Sequence, residues 1–504
     1  MDQLREKDIL ILGLGLSGLA MARWCSRWGA RVTVSDTRPA PPQLDALRRE
    51  VPSAKFVCAQ PDPSSLLAGP VDAVFRSPGL AIGQIDGVLK AAQARGAQTG
   101  GELNLFWQAL EWLRAAQEYR PKVLAVTGTN GKTTVTSLTG KLVERAGKTV
   151  MTAGNIGPTL LDSLTNCLDA RELPDVWVLE LSSFQLDGVE SFEPTAASVL
   201  NVTQDHLDWH GSMENYVAAK RRIFGTQTIR VLNRQDPVVM SMWPDSAGKR
   251  QAQAPGSSVV TFGPDLPARP GDFGLETVNG MCWLVRAMDE ESLSRKKSRP
   301  ETIHLQRLMP AEALRIRGRH NALNALAALA LATSAGCALA PMLYGLRDYQ
   351  GEPHRVESVG IIGDVEYFDD SKGTNVGATV AALNGLGADR RLVVILGGEG
   401  KGQDFSPLLA PVQASARAIV VIGRDGPSIQ QVLDTAGVPI VRSETMADAV
   451  ARASELAQVG DAVLMSPACA SFDMFDNYEH RAQVFRGAVA DLARADGFSG
   501  GDVL

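Results

Sequence analysis

Gly128-Thr129-Asn130-Gly131-Lys132-Thr133-Thr134 follows the apolar run Val123-Leu124-Ala125-Val126. The apolar run reads as a buried parallel strand. Val135 to Ala146 carries good helix formers and stops at Gly147, so a helix is expected there. Strand, glycine loop, lysine, hydroxyl and helix make a cradle for a polyphosphate. Glycines let backbone N–H groups turn toward the anion, and the helix N-terminus adds about half a positive charge. Lys132 supplies a mobile cation, and Thr133 or Thr134 a hydroxyl for Mg²⁺. The strict G-x-x-x-x-G-K-[ST] pattern is not met, because Val126 stands where its first glycine belongs. The plain alternative is a Gly- and Thr-rich turn, and Lys132 argues against it.

The chain has 504 residues, enough for about two to four domains. Hydrophobic residues make up 45% and charged residues 21%, which is ordinary for a globular protein able to build sizeable cores. A net charge of −6 and no long basic run exclude a nucleic-acid footprint. The most basic patch, Arg295-Lys296-Lys297-Ser298-Arg299, reads as a solvated loop. Cys25, Cys58, Cys167, Cys282, Cys337 and Cys469 form no C-x-x-C pair, as expected of reduced thiols in a cytosolic enzyme. Met1 to Lys7 is too polar for a usual signal peptide. The Ala/Leu run from Ala322 to Ala332 is too short to span a bilayer and reads as a buried helix. A cytoplasmic monomer with no nucleic-acid or membrane partner is the expectation.

Upstream of the cradle, Ile9-Leu10-Ile11-Leu12 is a strand candidate. It leads into Gly13-Leu14-Gly15-Leu16-Ser17-Gly18, a helix to about Trp28, and a strand Arg31 to Ser35 ending at Asp36. This is the dinucleotide fingerprint in sound context. Alone it favours an NAD-dependent dehydrogenase. Its physics, a diphosphate on a helix N-terminus and a carboxylate for a ribose hydroxyl, suits a UDP-sugar equally. Thr37 and Arg38 add donors. Val71 to Phe75 is another strand, and Arg76-Ser77-Pro78-Gly79 sits at its carboxyl end, either a ligand loop or a plain Pro-Gly turn.

Leu103 to Ala116 reads as a connecting helix, and a new domain starts near Tyr119-Arg120-Pro121. Asp175 to Leu179 is a buried strand ending at Glu180, the usual place for a Mg²⁺ ligand beside a phosphate-loop strand. Ala196 to Asn201 gives one more strand. After it, Asp205, His206 and Asp208 serve a metal or reacting group, or cap the next helix. Met213 to Phe224 is helical and carries Lys220, by itself an ordinary solvated lysine. Residues from roughly 244 to 310 are irregular, with weak strands at Val259–Phe262 and Met281–Val285, so surface β-structure and loops are expected.

Gly318-Arg319-His320-Asn321 opens the Ala-rich helix, and Gly351-Glu352-Pro353-His354-Arg355 is a linker signal. A third βα series follows. It has strands near Val365–Phe368, Leu392–Leu396, Ala418–Ile422 and Ala462–Met465. Its loops are Asp369-Asp370-Ser371-Lys372-Gly373-Thr374-Asn375, Gly397-Gly398-Glu399-Gly400-Lys401-Gly402 and Ser466-Pro467-Ala468-Cys469-Ala470-Ser471. Functional groups again fall after strands.

Taken in order, these blocks resemble the Mur ligase family almost end to end. The likeness rests on Gly13 to Gly18 with Asp36-Thr37-Arg38, on Gly128 to Thr134, and on Gly154-Asn155-Ile156-Gly157. It rests further on Glu180 to Leu186, Asn201 to Asp208, the lysine at 220, and the linker and loops of the third series. The resemblance implies three α/β domains. They are a Rossmann-like domain over 1–118 for the UDP substrate, a P-loop domain over 119–351 for ATP, and a Rossmann-like domain over 352–504. It also implies an ATP-dependent amide ligase of peptidoglycan precursor synthesis. Within the family the chain closely resembles ligases that join D-glutamate to UDP-N-acetylmuramoyl-L-alanine through an acyl phosphate. By the resemblance Gly128, Thr129, Asn130, Gly131, Lys132, Thr133 and Thr134 hold ATP, and Thr133, Glu180, His206 and a carbamylated Lys220 hold Mg²⁺. Lys132, Glu180, His206 and Lys220 are the catalytic set it implies. Asn321, Arg355 and Asp370 would bind adenosine, and Lys372 the phosphates. Leu16, Ser17, Asp36, Arg38, Ser77 and Gly79 would bind uridine diphosphate, and Asn155 the muramoyl part. Thr374, Lys401, Ser471 and Tyr478 would form the D-glutamate pocket. No family role attaches to the polar insertion near 288–310. A Mur-type ligase for another amino acid and an NAD-dependent dehydrogenase are the rivals, and the dehydrogenase leaves the phosphate loop and third series without work.

Overall fold

The computed structural model describes residues 2–243, 259–289, 303–388 and 390–495. The basic patch within 295–299 lies outside the described residues. By contacts the chain forms two units. One holds residues 1–202, 206–262 and 327–344, and the other residues 203–205, 263–326 and 345–504.

In the first unit, short apolar runs bounded by glycine build parallel sheets. One sheet has the order Lys55–Cys58, Arg31–Asp36, Asp8–Leu12, Ala73–Arg76, Gln98–Gly101. The chain order reverses beside Asp8–Leu12, which makes the carboxyl end of that strand the switch point where such sheets take ligands. Leu12 is level with Ser35 on one side and Arg76 on the other. The loop from Gly13 therefore opens between Asp36 and Ser77. The strand expected from Val71 starts at Ala73, and just before it the Asp72 N–H donates to Asp8 O at 2.8 Å while the Asp72 carboxylate accepts the Asp8 N–H at 2.9 Å.

The second sheet of this unit runs Val259–Phe262, Ile229–Asn233, Ala196–Val199, Lys122–Thr127, Val176–Glu180, Val150–Gly154, all parallel. Trp177 is fully buried, meets Phe106 edge-on at 5.1 Å, and donates from Nε1 to Tyr119 Oη at 2.9 Å. Burying each such side chain is worth roughly 1.5–3 kcal/mol. Glu102, at the start of helix Glu102–Gln117, accepts the Leu161 N–H at 3.0 Å, and burial raises its pKa. The helix after the phosphate loop spans Lys132–Arg145, starting three residues before the expected one, at the loop lysine itself.

The second unit contains an antiparallel meander, Phe273–Val278, Met281–Asp289 and Ile303–Pro310, as the weak strand signals suggested. Its first turn is Asn279-Gly280, with φ of 52° and 80°, the primed geometry that hairpins favour. A six-stranded sheet follows, ordered Glu357–Ile362, Val365–Asp369, Ala462–Met465, Leu392–Gly397, Ala416–Ile422, Ile440–Arg442. Only its first pair is antiparallel. Separate apolar clusters cover its two faces. The Ala/Leu run lies within helix Arg319–Ser334, and from Ala325 to Ala332 it is buried throughout. No described helix is long and apolar enough to cross a membrane.

Candidate active site

The site begins with strand ends. In the first sheet, Asp36 accepts the Leu14 N–H at 2.8 Å and the Arg38 N–H at 2.9 Å. The Arg38 guanidinium grips the same carboxylate, with both contacts at 2.9 Å. That pairing, aided by backbone N–H groups, holds the Asp36 pKa down to about 2. Gly13 has φ of 87°, and a Cβ there would lie 2.9 Å from the Ser77 Cβ. A Cβ at Gly18 would lie 2.1 Å from the Gly13 carbonyl oxygen, so the helix sits tight on the loop. Leu16 projects into solvent at 67% exposure, and Gly79 faces open space. Leu16, Ser17, Asp36, Arg38, Ser77 and Gly79 thus gather around one loop.

In the second sheet, Val126 is level with Glu180, and Glu180 with Gly154. Glu180, Asn155 and the phosphate loop therefore share one edge. The loop is braced from its other side. Thr129 N–H donates to Asn201 O at 2.9 Å, Asn130 N–H to Asn201 Oδ1 at 2.8 Å, and Asn201 Nδ2 to Asn130 O at 3.1 Å. Gly131 has φ of 81° and starts the helix. Lys132 Nζ donates to the carbonyls of Gly128 and Thr129 at 2.9 and 2.8 Å. Thr133 and Thr134 are buried behind it.

Lys220 is not a solvated lysine. It is 1% exposed, donates from Nζ to Gly128 O at 2.8 Å, and lies 4.4 Å from the centre of the Tyr216 ring. Tyr216 Oη in turn is 3.1 Å from Thr129 Oγ1. The helix Met213–Arg221 thus delivers Lys220 and Tyr216 together to the phosphate loop. His206 has φ of 53° and its side chain makes no cap at the following turn. Its ring meets Phe184 at 4.7 Å and Tyr216 at 6.3 Å. Glu180 is 1% exposed. Asn155 Nδ2 donates to its Oε1 at 2.7 Å, and its Oε2 has no hydrogen-bond partner among the described residues.

In the second unit, Asp370 is buried and accepts the Ser466 hydroxyl at 2.6 Å. Burial pushes its pKa up to about 7. Lys372 Nζ lies 5.4 Å from the centre of the Tyr478 ring, and Lys401 Nζ lies 5.7 Å from that of exposed Phe472. Arg481 is fully buried and donates to Cys469 O at 3.0 Å and Ser371 O at 2.7 Å, so it ties the loops of Lys372 and Ser471 together. Burial lowers its pKa to about 10. Asp205 Oδ2 accepts Asn375 Nδ2 at 3.1 Å. Asn321 donates to Arg317 O at 2.8 Å and accepts from Asn324 at 3.0 Å.

With this geometry established, likeness to known proteins is informative. The model of the Mur ligase middle domain matches residues 126–332, that of the Mur ligase glutamate ligase domain 354–469, and that of the MurD-like N-terminal domain 7–101. The chain belongs to the Mur ligase family. The UDP-N-acetylmuramoylalanine--D-glutamate ligase of Albidiferax ferrireducens is 63% identical to it over 99% of this chain and 98% of that protein. The same-named protein of Ralstonia nicotianae is 57% identical over 96% and 97%. Among solved structures, MurF from Acinetobacter baumannii aligns with a TM-score of 0.55 at 18% identity, over 98% of this chain and 92% of that one. UDP-N-acetylmuramate-alanine ligase MurC from Thermotoga maritima aligns at 0.51 and 20%, over 96% and 99%. These structural likenesses speak to the three-domain α/β fold alone. For this Mur ligase, sequence reasoning placed Arg76 and Ser466 in loops at strand ends without giving either a role, and it did not single out Tyr216 or Arg481, whose partners lie far off in sequence.

Proposed function

We propose that this Mur ligase adds D-glutamate to UDP-N-acetylmuramoyl-L-alanine, forming an amide as ATP becomes ADP and phosphate. The reaction belongs to peptidoglycan precursor synthesis. The observation that carries the chemistry is the convergence of Lys132 and buried Lys220 on the carbonyl of Gly128, on a sheet edge shared with Glu180. The amino acid is supported by the relatives' names. The domain division 1–118, 119–351 and 352–504 is part of the same reading.

The alanyl carboxylate oxygen takes the γ-phosphoryl group, and the bond to the β-phosphate oxygen breaks. The amine of D-glutamate then attacks the acyl carbon. Phosphate leaves from the tetrahedral intermediate, and the amine nitrogen gives up a proton. Protein side chains here position groups and neutralise charge. The glycine loop Gly128–Gly131 and the start of the helix Lys132–Arg145 face the phosphates, with the Thr129 and Asn130 N–H groups held by Asn201, Lys132 at the loop mouth and Thr133 and Thr134 behind. Asp36, Arg38, Leu16, Ser17, Ser77 and Gly79 hold the uridine diphosphate, and Asn155 the muramoyl part. Asn321, Arg355 and Asp370 serve adenosine, and Lys372 the phosphates. Thr374, Lys401, Ser471 and Tyr478 hold D-glutamate.

A buried carboxylate oxygen with no hydrogen-bond partner among the described residues, Glu180 Oε2, fits a hard cation. Glu180, Thr133, His206 and a carbamylated Lys220 would hold Mg²⁺, which when bound neutralises phosphate charge. The test is isotopic. With ¹⁸O in the alanyl carboxylate, an acyl phosphate delivers one ¹⁸O to the released phosphate, read by mass spectrometry. Unlabelled phosphate alongside amide product would refute the mechanism.

A further inference from the structure

Arg76 ends the strand Ala73–Arg76, and its side chain is only 7% exposed. Its guanidinium bonds to carbonyl oxygens. Nη1 donates to Leu80 O at 3.2 Å, and Nη2 to Asp187 O at 2.7 Å and Phe184 O at 3.3 Å. The Asp187 carboxylate stands farther off, at 3.9 Å. The guanidinium carbon lies 5.8 Å from the centre of the Trp209 ring.

These carbonyls belong to two different pieces of the first unit. Leu80 closes the turn that carries Ser77 and Gly79, donating its N–H to Ser77 O at 3.1 Å. Phe184 and Asp187 belong to the one-turn helix Ser183–Leu186 and its C-cap, whose last carbonyls have no helical partner. That helix also sets a wall of the site. Ser183 Oγ is 2.9 Å from His210 Nε2, and the Phe184 ring is 4.7 Å from His206.

Stability alone does not call for an arginine here. A guanidinium taken out of water loses hydration, and apolar side chains of similar volume often replace buried charges at no cost. What an apolar side chain lacks is the planar fork that reaches two sets of acceptors at once. We propose that Arg76 is a positioning residue that fixes the spacing between the Ser77–Leu80 turn and the Phe184–His206 wall. On the reading given under Proposed function, that turn receives the diphosphate, and His206 of that wall belongs with the Mg²⁺ ligands, where the alanyl carboxylate takes the phosphoryl group, so one long substrate spans both. A ligand held at both ends gains its second contact intramolecularly, provided the two ends keep their spacing. UDP touches the turn alone and gains nothing from the link.

The test is calorimetry on the full chain with UDP and with UDP-N-acetylmuramoyl-L-alanine, comparing wild type, Arg76→Met and Arg76→Lys. Arg76→Met should leave the Kd for UDP within about twofold and weaken the full substrate roughly tenfold. The KM for ATP should stay put while kcat/KM for the UDP substrate falls. Arg76→Lys keeps the charge but reaches one set of carbonyls, so an intermediate, equally selective loss of about threefold is expected. Where Arg76→Met gives no folded protein, Arg76→Lys decides by the same ratio. Equal weakening of both ligands overturns the proposal, because Arg76 then only shapes the turn. Unchanged binding of the full substrate overturns it too. A wild type that binds the full substrate but not UDP removes the turn as a diphosphate site, and the proposal with it.

Discussion

Lys220 looks dispensable as a solvated helix residue, yet it is buried against the Gly128 carbonyl. With Lys132 on the same carbonyl, a second ammonium beside a phosphate site would repel Mg²⁺. A carbamate would give a hard oxygen ligand instead. Lys220→Ala should lose activity by about 100-fold or more, and formate or acetate should restore part of it. Rescue by small amines, or a largely active Lys220→Arg, would show the ammonium to be the working group. Asp370 makes a pH prediction. Burial raises its folded pKa to about 7 from 3.8, so the folded chain binds the extra proton across that window. Stability from this group is greatest at the acid end and falls as pH rises from about 4 to 7. Asp370→Asn should flatten that slope in thermal melts across this pH range. A slope identical to wild type would mean that Asp370 does not titrate there.

At the scale of elements, the site is a set of strand ends locked in register. Gly154, with φ of 113°, would place a Cβ 2.3 Å from the Glu180 carbonyl oxygen. Gly154→Ala should therefore cost about 1–3 kcal/mol, read as a lower Tm, and reduce activity through the displaced Glu180. An unchanged Tm would mean the two strands part easily. Strands such as Val176–Glu180 and Leu392–Gly397 were legible in the sequence because both faces are buried and the apolar runs are continuous. Gln98–Gly101 was not, since a polar, glycine-rich edge strand has no apolar signature. Among the site residues, those in glycine loops were legible because loop chemistry is local. Arg76 and Arg481 act through carbonyls distant in sequence, which no spacing reveals. Tyr216 carries no signal of its own in the sequence, and its place is set by Lys220 and Thr129, which the fold brings to it.

At the scale of the molecule, two nucleotide-type loops occupy one chain, and they must divide the ligands. The glycine loop beside Asp36 should bind UDP-N-acetylmuramoyl-L-alanine in calorimetry and show no comparable binding of NADH. Asp36→Ala should raise the KM for the UDP substrate by about tenfold or more, as expected for a lost charge-assisted hydrogen bond, and leave that for ATP unchanged. Tight NADH binding with hydride transfer would restore the dehydrogenase reading. The most direct measurement is phosphate release from ATP in the presence of UDP-N-acetylmuramoyl-L-alanine and one amino acid at a time. Release should be rapid with D-glutamate, stoichiometric with amide product, and near background with L-glutamate, L-alanine or a diamino acid. Release that is indifferent to D-glutamate, or fastest with another amino acid, would contradict D-glutamate addition.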